Sequence, residues 1–130
     1  MKIEYLTNVD RTRPKDSILR IFDFNRSEAR LFKEILSKLV DGSAAETDIT
    51  VLPFVTSVGG CRLILKVGKK DIGIVALPGN VFECILTRDG WENAADLIGP
   101  FCSEKDVSGY QWLYDLDNHI DLLFLENGDW

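Results

Sequence analysis

The chain has 130 residues, 45% hydrophobic and 28% charged, which suits one core and argues against a disordered chain. Its net charge of −6 argues against nucleic acid as a partner, since phosphate contacts need clustered Lys and Arg. No apolar run is long enough to cross a bilayer, so a membrane partner is not expected either.

The start "MKIEYLTNVDRTRP" has no apolar signal core. Cys61, Cys84 and Cys102 are odd in number, with no C-x-x-C pair to form a zinc knuckle or a disulfide framework. The expectation is a single cytoplasmic domain over residues 1–130.

Residues 1–16 read as an irregular segment, in which "IEYL" can form a short strand and "TNVDRTRPKD" a loop. "SILRIFDF", 17–24, is apolar on both alternations, as a strand covered on both faces would be. A helix follows. Asn25 and Glu28 are spaced as a capping box, and Phe32, Ile35, Leu36 and Leu39 recur at helical spacing. Arg30, Glu34 and Lys38 stand four apart on the other side, where they can pair in water. Gly42 suits the C′ position.

Short strands come next. "DITVLPFVTSV" is rich in β-branched residues, with Pro53 marking an edge or a bulge. Gly59-Gly60 is a turn, and "CRLILKV" alternates with Leu63, Leu65 and Val67 on one side. "GKKD" predicts a hairpin connection to "IGIVAL", and "PGN" turns the chain into "VFECIL". A second helix is predicted over about 90–98, capped by Asp89 with Glu92 and ended by Gly99-Pro100. Its apolar face is Trp91, Ala94, Ala95 and Ile98. "GYQWLY" and "HIDLLFL" supply two last strands. The order β-α-β-β-β-β-α-β-β implies an α+β domain of six to seven mainly antiparallel strands with two helices packed on the sheet.

Charge is divided unevenly. Residues 1–105 hold all 15 Lys and Arg and 15 of the 21 acids; Asp106, Asp115, Asp117, Asp121, Glu126 and Asp129 follow with no base. Within "YQWLYDLDNHIDLLF", Asp115, Asp117, His119 and Asp121 occupy every second position, which on one strand would make a metal or acid–base face. Asp117-Asn118 instead favours a tight turn. Leu116 then pairs with His119, Asp115 with Ile120, Tyr114 with Asp121 and Leu113 with Leu122. One face carries Leu113, Ile120, Leu122 and Phe124. The other carries Trp112, Tyr114, Leu116, His119, Asp121 and Leu123, and the row of ligands dissolves. A single imidazole does not make a zinc or iron site, and "DLDNHID" lacks the glycine of a calcium loop. No metal or other cofactor is expected.

Cys84 reads as a buried strand residue, whereas Cys61 and Cys102 are better placed to react. "TSVGGCR" offers amides to an anion but lacks both phosphate-loop motifs. Arg11, Arg13 and Lys15 are flanked by Asp10 and Asp16 and read as surface.

Aromatic anchors interleaved with carboxylates suit recognition of a basic protein surface. Trp112, Tyr114, Asp115, Asp117, His119 and Asp121 are therefore the candidate partner-binding residues. The chain reads as a small interaction module rather than an enzyme, an immunity-type or antitoxin-type inhibitor being one instance. The rival reading is a small-molecule-binding domain or small enzyme with a pocket beside His119, which requires a concave cavity there.

Overall fold

The twice-apolar segment at 17–22 decides the layout. In the computed structural model, which describes residues 1–7, 17–103, 110–114 and 120–126, it is the middle strand of a sheet. The strands are β1 (Lys2–Thr7), β2 (Ser17–Phe22), β3 (Glu46–Asp48), β4 (Thr56–Val58), β5 (Arg62–Val67), β6 (Gly73–Leu77), β7 (Val81–Leu86), β8 (Tyr110–Tyr114) and β9 (Ile120–Leu125). Helix α1 (Arg26–Asp41) follows β2, and α2 (Arg88–Ile98) follows β7. Short 3₁₀ turns occupy Ile49–Val51 and Gly99–Cys102.

The α+β class is as expected, but the single antiparallel meander is not. The described strands form a five-stranded sheet, β4-β1-β2-β9-β8, and a four-stranded sheet, β3-β5-β7-β6. The pairs β1–β4, β2–β9 and β5–β7 are parallel. Nine strands among the described residues replace the expected six to seven for two reasons. Part of the N-terminal segment pairs along all of β2, and the one strand expected at "DITVLPFVTSV" becomes β3, a 3₁₀ turn and β4, broken before and around Pro53. The loop read at 8–16, with Arg11, Arg13 and Lys15, lies outside the described residues.

The predicted β5–β6 hairpin is absent because β7 lies between them. The chain leaves β5 and crosses the end of β7, where Gly68 N donates to Leu86 O at 3.0 Å and Ile72 N to Ile85 O at 3.0 Å. Gly68 is needed for that approach, since a Cβ there would stand 2.6 Å from Ile85 Cγ2. The β6–β7 turn at 78–80 is the expected tight hairpin, with Gly79 and Asn80 both at positive φ.

Helix α1 follows its sequence signals closely. Asn25 Oδ1 accepts from Glu28 N at 2.9 Å and Glu28 Oε1 from Asn25 N at 3.1 Å, completing the capping box. Gly42 closes the helix in the left-handed region at φ 85°. Helix α2 starts earlier than expected: its cap is Thr87, whose Oγ1 accepts from Gly90 N at 3.1 Å. Asp89 falls in the first turn instead, where its charge suits the helix dipole.

One contiguous core joins both sheets and both helices. Tyr5 of β1 meets Phe82 of β7 at 4.5 Å between ring centroids. Phe124 of β9 sits among Phe24, Phe32 and Phe101 at 4.2, 5.7 and 5.1 Å. A second cluster lies on the opposite face of the five-stranded sheet, where Ile18, Phe22, Leu123 and Leu125 are all buried. Both faces of β2 are thus covered, as its pattern predicts.

Candidate functional site

The C-terminal hairpin exists, though its register differs from the regular one. Tyr110–Leu125, Gln111–Phe124 and Trp112–Leu123 pair as the Asp117-Asn118 turn would dictate. Beyond them the ladder shifts: Tyr114 stands opposite Leu122, so neither the expected Tyr114–Asp121 nor the expected Leu113–Leu122 pair forms. Leu113, Ile120, Leu122 and Phe124 do share the main core. Leu123 is fully buried in the second cluster and offers nothing to a partner.

Among the candidate residues, Trp112 and Tyr114 belong to β8 by their backbone pairing. Asp121 lies in β9, half-buried and in parallel register with Ile18 of β2. Asp115, Asp117 and His119 lie outside the described residues, and with them the rival pocket beside His119. β8 is the last strand of its sheet among the described residues.

The cysteines separate by burial. Cys61 is only 1% exposed, so the expectation that it could react is corrected. Its sulfur lies 3.4 Å from Ser57 Oγ and 3.8 Å from Ile3 O. Burial pushes the Cys84 thiol up to about 12, with the Asp71 charge adding to it. Cys102 is half-buried beside Lys33 and Arg30; burial raises its thiol and the two cations pull the other way, for a net rise.

The glycine turn at 59 and 60 is not a hairpin connection, because it carries the chain from β4 in one sheet to β5 in the other. Both glycines have positive φ, which explains their identity without any ligand. Among the described residues no three His, Cys, Asp or Glu side chains converge as metal ligands.

One groove was not legible in the sequence. It has a volume of about 270 Å³ and is lined by Arg30, Lys33, Glu34, Ser37 and Cys102. The positions 30, 33, 34 and 37 fall on one helical face, which was the available signal. Read as a salt-bridged solvent surface, that face attracts no notice. Yet no ion pair within 4.0 Å joins Arg30, Glu34 and Lys38 among the described residues. Arg30 instead turns to the neighbouring turn, its Nε donating to Cys102 O at 3.0 Å. Comparisons with protein-family models, with curated proteins and with solved structures find no match.

Proposed function

We propose that this chain is a small cytosolic interaction module whose acidic, aromatic C-terminal hairpin binds a basic protein surface. An immunity-type or antitoxin-type inhibitor is one instance. The observation that carries this reading is the charge division. Six acids and no base follow Lys105, interleaved with the apolar residues of β8 and β9. The position of β8 at the margin of its sheet among the described residues supports it, since an outer strand leaves its hairpin open to approach. Carboxylates of this kind act mainly on association rate and on the exclusion of wrong partners.

A pull-down from the source cell's lysate tests the reading. It compares the chain with a variant carrying Asp115→Asn, Asp117→Asn and Asp121→Asn. A basic protein retained by the former and lost from the latter is the expected result. Equal retention of every captured protein contradicts it.

A further inference from the structure

We infer that the groove between α1 and the Gly99–Cys102 turn is a binding site for a small oxyanion, a carboxylate or phosphate on a compact body. The inference uses none of the hairpin residues and stands apart from the partner-binding reading.

Three observations carry it. First, Arg30 and Lys33 both line the groove, and neither makes an ion pair among the described residues. Second, both cations reach the opposite wall, and Arg30 is bonded to it. Arg30 spends its Nε hydrogen on Cys102 O at 3.0 Å, which anchors the planar guanidinium and leaves its Nη hydrogens. Lys33 Nζ lies 3.4 Å from where a Cβ on Gly99 would stand, so the ammonium also lies against the turn. Third, the groove is an open depression of about 270 Å³, just below the roughly 300–1,000 Å³ of drug-sized ligand sites, a size that suits a small molecule.

Charge selects the class. Among the described residues the groove wall holds two cations against one carboxylate, Glu34, in a chain of net charge −6. A local positive site on an acidic protein concentrates anions while the rest of the surface repels them. The Cys102 thiol stays protonated near neutrality and does not compete for the cations. Ser37 is already committed, its Oγ donating to Lys33 O at 3.0 Å.

The test is an NMR titration of the full chain with inorganic phosphate and, separately, with succinate, following backbone amides. Saturable shifts confined to residues 30–37 and 99–103 are expected. Arg30→Gln with Lys33→Gln should weaken binding about tenfold or more. Glu34→Gln should tighten it about two- to fivefold by removing the opposing charge. Response to phosphate alone, succinate alone or both would support the site and identify which oxyanion it prefers. No saturable local shift with either probe, or an affinity unchanged in both variants, would overturn it.

Discussion

Tyr114 of β8 stands opposite Leu122 of β9, one residue out of step with the adjoining Trp112–Leu123 pair. The shift moves Asp121 out of the position opposite Tyr114 that a regular ladder gives it. Leu123, still in register with Trp112, is buried together with Ile18, Phe22 and Leu125, on the side of the sheet away from the main core.

Leu123→Ala should therefore cost as much as a truncation in the main core, about 2–5 kcal/mol. Urea unfolding monitored by far-UV circular dichroism measures it. A loss below about 1 kcal/mol would mean that this face is open to solvent.

Stability should fall in acid partly through Asp48. Burial pushes its carboxyl up, but bonds from Thr50 and Arg62 outweigh burial and hold it below the usual carboxylate range. Thr50 N donates to it at 2.9 Å and Arg62 Nη2 at 2.6 Å. Because the folded pKa is the lower one, the unfolded chain takes up the proton more readily. Its contribution is complete above the unfolded value of about 3.9 and is lost as pH falls through the folded one. Asp48→Asn should lower the urea midpoint at pH 6 and flatten the decline towards pH 3. Parallel wild-type and variant curves would contradict this account.

Thiol chemistry should follow burial. Iodoacetamide at mild alkaline pH is expected to label Cys102 alone in the folded chain, and slowly, since burial raises that thiol too. Cys61 and Cys84 should react only after denaturant is added. Peptide mass spectrometry reads the sites directly, and labelling of Cys84 at the rate of Cys102 would refute the assignment.

Local signals were readable and neighbour relations were not. The Asn25–Glu28 box, the Phe32–Leu39 stripe and the Gly42 stop all act within a few residues, and α1 obeys each of them. The α2 cap shows the limit. Asp89 with Glu92 fits a capping box, yet Thr87 takes the position, its N and Oγ1 held at 2.8 and 2.9 Å by Asp71 Oδ1 from sixteen residues away. That contact depends on the crossing over β7, which periodicity does not encode.

The same limit explains the sheets. Alternation in "CRLILKV" and "IGIVAL" is equally consistent with adjacent strands and with strands separated by a third. The hairpin was legible but its named pairs Tyr114–Asp121 and Leu113–Leu122 were not, because the ladder shifts after Trp112 and sets Tyr114 opposite Leu122, where spacing alone gives no warning. The groove on α1 was missed because helical charges at four-residue spacing resemble a solvated, self-paired face.

The most direct test of the interaction reading is the association rate of a captured basic protein, measured from low to physiological ionic strength. The chain is compared with the Asp115→Asn, Asp117→Asn, Asp121→Asn variant. The account predicts a rate that falls steeply with salt for the unmodified chain, and a slower, flatter response for the variant. Coincident curves would show that these carboxylates do not steer binding, and would contradict the proposed function.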